Sequence, residues 1–471
     1  MRNRKPLQTE DEGPESDSST LRSYLQHGSP RHGPKAAEKE ESTIKSAAVD
    51  DAAKRFKSFR VRTLSTIVLI SGYIFCVWAG HVPLMFLVFM LQTLMIREAF
   101  GLGSMAHEQE KLPGFRAQQW YFFFVSVFYL YTRFIANNLL VEVTSTKALA
   151  RLFTLALKRQ MFISFFLYCA GFIMFVLSLR RGMYLYQFTQ YAWTHMTILV
   201  VIMPTSFFVS NIFQGIIWFI LPAMLIVVND IFAYLAGFFF GRTPLILLSP
   251  KKTWEGFIGG FISTVLFAFY SSWLMAQFNW LTCPRKDLSL GHLACTPSPI
   301  FQTRVFNTQE LAIELPGPLE EIMLLLHSIL PTHMWEALQA VTVTAMPVQL
   351  HAITMACFAS LISPFGGFFA SGFKRAFDLK DFGDTIPGHG GITDRFDCQV
   401  LMAVFSYLYY WNYIHVEQPS ISNVLSEALK LPNMQQLELF LRLGNLLVGE
   451  GVIPEDTLNA VLPMVDLSHT P

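Results

Sequence analysis

Between two long apolar runs lies SGFKRAFDLKDFGDTIPGHGGITDRFD, residues 371–397, which gathers Lys374, Arg375, Asp378, Lys380, Asp381, Asp384, His389, Asp394, Arg395 and Asp397. Charges this close to hydrocarbon are costly and mark a ligand or ion site more often than packing. Lys374, Arg375 and Lys380 suit phosphate oxygens, Arg375 through a bidentate fork. Gly388, Gly390 and Gly391 permit turns in which successive backbone amides point at an anion. Asp394 and Asp397 stand i, i+3 on one face of the helix that enters the membrane at Val400. Two hard carboxylates facing one way would suit Mg²⁺, which takes one or two carboxylates and completes its shell with water and phosphate oxygens. A plainer account, acids placed for the helix dipole, covers the two aspartates but not the cations and glycines crowding the same loop. His389 is either a phosphate donor or a structural histidine.

Two more polar clusters join this loop. Asn229 and Asp230 lie inside an apolar run, with Tyr234 at i+4 and Gly237 at i+7 from Asp230 sharing its face. They either serve a site or hydrogen-bond neighbouring helices. The connector SPKKTWEG, 249–256, sets Lys251 and Lys252 before Thr253 and Glu255 at the mouth of the next helix, with Arg242 just upstream. Lysines at a helix N-terminus make a phosphate seat, although a Lys-Lys pair beside a membrane is also a topology signal.

The elements that hold these residues follow from composition. The chain has 471 residues, 52% of them hydrophobic and only 15% charged, with 44 Phe and mean hydropathy +0.39. This is the balance of an all-α, polytopic transmembrane bundle. A net charge of +1 gives no push toward nucleic acid. Apolar runs at 64–80, 82–96, 120–137, 161–179, 192–213, 216–240, 257–274, 352–369 and 400–414 predict about nine membrane helices. Residues 1–58 form a polar, disordered tail ending in a basic collar, 59–416 the membrane domain, and 417–471 a soluble helical tail. The collar holds the N-terminus in the cytosol by the positive-inside rule. Counting from there puts Arg180-Arg181, 242–255 and 371–397 on the cytosolic side and the loop at about 277–349 in the lumen. The basic segment from Lys147-Ala-Leu-Ala-Arg151 to Lys158-Arg159 lands on the lumenal side, against the rule. Cys283 and Cys295 share the long loop and are able to pair if it faces an oxidising lumen. No P-loop, GxSxG elbow or HExxH occurs, which removes ATPase, lipase and zincin readings.

The pattern SxxKRxxxxKDxxxxxPGHGGxxDRxD, with NDIFAYLAGFFFGRTPL and SPKKTWEGFIGG, resembles the signature of the CDP-diacylglycerol synthases, or phosphatidate cytidylyltransferases. The lead-in PFGGFFASGFKRAF resembles their eukaryotic branch. The resemblance implies condensation of CTP with phosphatidic acid to CDP-diacylglycerol and pyrophosphate at the endoplasmic reticulum membrane, with Mg²⁺. It casts Asp394, Lys374, Arg375, Lys380, Asp381 and His389 as catalytic, and Lys251, Lys252, Arg242, Arg395, Gly390, Gly391 and Ser371 as substrate-binding. Asp394 carries over as a metal ligand, with Asp397 and Asp230 beside it. Gly367 stands where bacterial relatives place a second ligand aspartate, leaving that position open among Asp230, Asp381 and Asp397. Phosphatidate, a monoester with a second pKa near 6, needs no protein nucleophile, so the work left is charge neutralisation and positioning. The rivals are a secondary transporter with Asp230 in its path and another CTP-dependent lipid-phosphate enzyme such as a dolichol kinase. Oligomeric state is left open.

Overall fold

The computed structural model describes residues 59–105, 114–138, 155–246, 249–291, 293–307, 342–415 and 431–454, with a few isolated positions besides. The tail at 1–55, the basic stretch 147–151, most of 308–341 and the ends of the C-terminal tail lie outside the described residues. In chain order the helices are α1 (Phe59–Ala79), α2 (His81–Met105), α3 (Phe115–Asn138) and α4 (Gln160–Leu177). There follow α5 (Tyr184–Gln214), α6 (Ile217–Phe240), α7 (Trp254–Ala276), α8 (Pro347–Leu361) and α9 (Pro364–Ala376). Last come α10 (Thr393–Tyr409), continued by a wider turn at Tyr410–Ile414, and α11 (Asn433–Gly449).

Every predicted run is helical, and the all-α polytopic reading holds. Among the described residues seven segments are long and apolar enough to cross a membrane, α8 and α9 counting as one. The two predicted runs outside that set are α3, which carries Arg116, Gln118, Gln119 and Arg133, and α10, which opens on Thr393-Asp394-Arg395. The α8–α9 break falls at Ser363-Pro364, with proline in the first turn of α9, where its missing N–H costs nothing. The connector after α6 folds into a short antiparallel pair, β1 (Pro244–Ile246) and β2 (Ser249–Thr253).

The described residues fall into two units. The first holds the helices up to Phe301 together with Val348–Val404. The second contains a two-stranded antiparallel pair, Arg304–Asn307 with Thr342–Ala345, and α11, the helix expected from QQLELFLRLGNLL.

Within the first unit, small residues bring α6 and α7 into close contact. A Cβ added at Gly256 would lie 2.6 Å from the Ala233 carbonyl, and one at Gly260 2.9 Å from Asn229 Oδ1 and 3.0 Å from the Ala233 Cβ. Lipid supplies no hydrophobic drive between helices, so close backbone approach of this kind is what holds them. Asn229 is buried there and accepts from the Thr264 hydroxyl at 3.5 Å, as its structural reading expected. Tyr234 departs from expectation: it is exposed and stacks on Phe238 rather than joining Asp230.

A second contact centre joins α2, α3 and α5. Met95, Ile96, Phe100, Phe123, Val201 and Ile202 cluster there, and Ile392 of the polar loop inserts among them. Deeper in the bundle, Gln92 donates to Thr205 Oγ1 at 2.9 Å and accepts from Tyr131 Oη at 2.9 Å.

The far end of α2 carries different chemistry. His81 lies beside Phe213, and Arg285 N–H donates to the Phe213 carbonyl at 2.8 Å. The buried Arg285 guanidinium donates to the Ser289 and Gly291 carbonyls. Cys283 and Cys295 are bonded, Cα atoms 5.8 Å apart. His81 and Glu98 are roughly 25 Å apart along α2 at 1.5 Å per residue, so the disulfide and the polar loop occupy opposite ends of the bundle.

Gly260→Val should drive two methyl groups into Asn229 and Ala233 and destabilise the α6–α7 crossing by about 1–3 kcal/mol. Thermal unfolding in detergent should show a lowered midpoint; an unchanged midpoint would remove this crossing from the packing account.

Candidate active site

α9 and α10 run antiparallel and carry the central charges. Gly367 and Lys374, two turns apart, share a face of α9, and a Cβ at Gly366 would press on the Asp397 carbonyl and the Leu401 side chain. Lys374 Nζ lies 2.6 Å from Asp394 Oδ1. The other Asp394 oxygen accepts the Phe382 N–H at 2.9 Å. Asp394 is thus held by an ammonium and a backbone amide, a charge-assisted arrangement that fixes where its carboxylate points.

Asp397 looks elsewhere. Its Oδ1 accepts the Cys398 N–H at 2.7 Å. A Cβ at Gly367 would come within 3.4 Å of its Oδ2 and 3.2 Å of Cys398 Sγ. Asp394 and Asp397, expected to share a cation, lie on the same side of α10 with different hydrogen-bond partners, while Lys374 pairs with Asp394 and also acts on Asp397. Asp230 of α6 feels Lys252, the like charge of Asp397 and Arg395. Burial pushes the Asp397 carboxyl up, opposed by the Cys398 hydrogen bonds and by Lys374 and Lys252. Asp230 is exposed and Asp397 half-buried, so both are within reach of a ligand.

The β1–β2 pair delivers Lys252 to this group. Glu255 accepts from the Arg242 N–H at 3.1 Å and from the Thr243 hydroxyl at 2.6 Å, and Thr253 caps α7 by accepting the Gly256 N–H at 3.2 Å. Lys252 then lies over the Phe368 ring, 4.6 Å from its centroid, as a cation–π pair. The structure therefore brings together Lys252, Asp230, Asp397, Lys374 and Asp394 from α6, β2, α9 and α10. Ser371 is half-buried on α9, between Gly367 and Lys374.

Other expected residues sit at the margin. Arg375 donates to the Leu379 carbonyl at 3.3 Å, and Lys380 is exposed. Asp381 lies against Gly390, whose added Cβ would be 3.3 Å from its carboxyl carbon. Arg395 donates to the His389 carbonyl at 3.0 Å. Arg242 joins through its backbone N–H, and the side chain of Lys251 lies outside the described residues. His389 is clasped by α1: Ser65 Oγ is 3.2 Å from Nδ1 and Thr66 Oγ1 3.2 Å from Nε2. Arg62 rests on Gly388, which holds a left-handed φ of 78°.

One residue was missed entirely. Glu98, near the end of α2, is 7% exposed and accepts from the Ile392 N–H at 2.8 Å, the Thr393 N–H at 2.9 Å and the Thr393 hydroxyl at 2.8 Å. Thr385 Oγ1 donates to its Oε1 as well. The turn built by the glycines does aim amides at an anion, and that anion is Glu98. A carboxylate two residues past an apolar run was the available signal.

A bundle of membrane helices with acids and cations gathered at one end is the setting of an integral membrane protein that handles charged ligands. The model of the cytidylyltransferase family matches residues 60–413. The chain is 46% identical over 394 residues to phosphatidate cytidylyltransferase 1 of Arabidopsis thaliana, covering 83% of this chain and 88% of that one. It is 40% identical over 409 residues to phosphatidate cytidylyltransferase 1 of Homo sapiens, covering 86% and 83%. The chain belongs to the cytidylyltransferase family.

Because Lys374 and Asp394 are largely buried and paired, removing either alone leaves the other uncompensated. Lys374→Met and Asp394→Asn should each lower thermal stability, by about 1–3 kcal/mol, while the double variant loses less than the sum. Additive losses would show that the pair contributes no coupling.

Proposed function

We propose that this chain is a phosphatidate cytidylyltransferase: it joins CTP to phosphatidic acid, giving CDP-diacylglycerol and pyrophosphate. The observation that carries the reading is the convergence of Lys374, Lys252, Asp394, Asp397 and Asp230 at one mouth of the bundle, together with the relatives' names.

The chemistry asks for little besides electrostatics. The phosphatidate dianion supplies the attacking oxygen; it forms a bond to the α-phosphorus of CTP while the bond to the β,γ-diphosphate breaks. Lys252 is exposed beside Phe368 and is suited to the nucleotide phosphates. Lys374, between Asp394 and Asp397, is suited to the charge that develops on transfer.

The acids fit a hard divalent cation. Asp397 and Asp230 are oxygen donors on facing helices, and Gly367, lacking a side chain, lets Asp397 Oδ2 come within 3.4 Å of its Cβ position. In bacterial relatives an aspartate stands at that glycine position, so Asp397 is the natural substitute here. Asp230 and Asp397 would hold Mg²⁺, with Asp394 at its edge. When bound, Mg²⁺ would neutralise phosphate charge. Among the described residues no group of three or more His, Cys, Asp or Glu side chains is placed to hold a metal ion, so the proposed site relies on two carboxylates, with water and substrate phosphates for the rest of the shell.

The disulfide between Cys283 and Cys295 supports an oxidising compartment at the far end of the bundle, and hence a cytosolic face for the site in the endoplasmic reticulum membrane. CTP then arrives from the cytosol and phosphatidate from the bilayer.

Purified protein given labelled CTP, phosphatidate and Mg²⁺ should yield a labelled lipid and pyrophosphate, with none when Mg²⁺ is chelated. Label staying in the aqueous phase would refute the activity. Asp394→Ala should abolish turnover without loss of membrane insertion; normal turnover would remove Asp394 from the site. Lys252→Ala should raise the KM for CTP at least tenfold, the loss expected for a phosphate contact worth about 1.4 kcal/mol, and leave that for phosphatidate little changed; the reverse split would move Lys252 to the lipid side.

A further inference from the structure

Glu98 occupies a place where a ligand anion would otherwise bind. The N–H groups of Ile392 and Thr393 open α10, and a helix N-terminus offers unsatisfied donors and a positive dipole end to an anion. Both amides donate to Glu98, one to each oxygen, and the Thr393 and Thr385 hydroxyls add two more bonds. The carboxylate is 7% exposed. It is also enclosed by the turn itself: an added Cβ at Gly383 would fall 3.2 Å from Oε1, and one at Gly391 3.1 Å from Oε2. No free anion has room there while Glu98 is in place.

The consequence runs from Glu98 to the charged centre. Ile392 is inserted in the α2–α3–α5 cluster, so the amides Glu98 holds belong to a fixed point of the fold. Thr393 directly precedes Asp394. Gly383 N is 3.0 Å from the Cβ position of Gly391, and the neighbouring Phe382 N–H is the donor that, with Lys374, fixes the Asp394 carboxylate. Glu98 thus closes both ends of the loop 382–393 onto the start of α10, and the two backbone segments that aim Asp394 are the ones it ties together.

We infer that Glu98 is the positioning residue of the reaction centre, a built-in carboxylate that stands where a phosphate would sit and so holds the 382–393 loop and Asp394 in working geometry. Substrate phosphates are thereby directed away from the α10 amides and toward Lys252 and Lys374. The inference rests on the proposed cytidylyltransferase activity for its assay.

The test is chemical rescue. Glu98→Ala removes the carboxylate but leaves the amides and hydroxyls that recognised it. Turnover of CTP and phosphatidate by the full-length variant in detergent should fall roughly 10–100-fold in kcat, the usual cost of losing an outer-shell support, with smaller changes in either KM. Formate, a free carboxylate of the right size, should restore a saturable part of that loss. Glu98→Gln, which keeps one acceptor oxygen, should fall between the two. A Glu98→Ala variant as active as the parent overturns the inference. So does one whose lost activity tracks a lowered melting midpoint and does not respond to formate, since that describes a purely structural side chain. If the parent itself makes no lipid product, the activity assignment fails instead, and melting with and without formate still reads the anion seat directly.

Discussion

An irregular loop at the mouth of a membrane bundle keeps its shape only if its backbone donors find acceptors inside the protein. Hydrocarbon offers none, and water competes where it reaches. Here a side chain from a distant helix meets part of that demand, the rest falling to Asp394 and to carbonyls of the loop itself. Glu98 accepts from two amides and two hydroxyls of the glycine-containing loop, while Ile392 anchors the same turn in the apolar cluster of α2, α3 and α5. The rest of the site is built outward from this joint.

The charges that remain are arranged as an alternation. Lys374 lies against Asp394 and within reach of Asp397, and Lys252 within reach of Asp397 and Asp230. Each acid tempers the repulsion among the cations, and each cation tempers that among the acids, so the group persists next to an apolar interior. A site built in this way needs no covalent intermediate to move a nucleotidyl group onto a phosphate that is already nucleophilic. The close α6–α7 crossing through Gly256 and Gly260 belongs to the same design, since it places α6, and Asp230 with it, relative to the β1–β2 pair that carries Lys252.

α1 adds a different kind of support. Its contacts with the loop concentrate in one turn, where Ser65 and Thr66 bracket the His389 ring and Arg62 covers Gly388. His389 is therefore held by hydroxyls on both nitrogens, which favours its structural reading over that of a phosphate donor. The first helix of the domain is in this way tied to the loop that carries the chemistry.

Much of this was legible in the residues themselves. Nine apolar runs predicted nine helical segments, because twenty residues of hydrocarbon-compatible sequence have few other ways to satisfy their backbone. The crowding of lysine, arginine, aspartate and glycine at 371–397 announced a site, because charge beside hydrocarbon is too costly to be idle. Which acid faces which cation was not legible. The spacing of Asp394 and Asp397 put both on one side of a helix, but did not show that Lys374 would pair with the first while Gly367 packs against the second. Glu98 lies nearly 300 residues away in the chain, and nothing local to it pointed to the loop. Local sequence determines helix, span and the presence of charge, since those depend on neighbours a few residues away. The pairing of carboxylates with their donors depends on helices meeting across the bundle, and only the tertiary structure decides that.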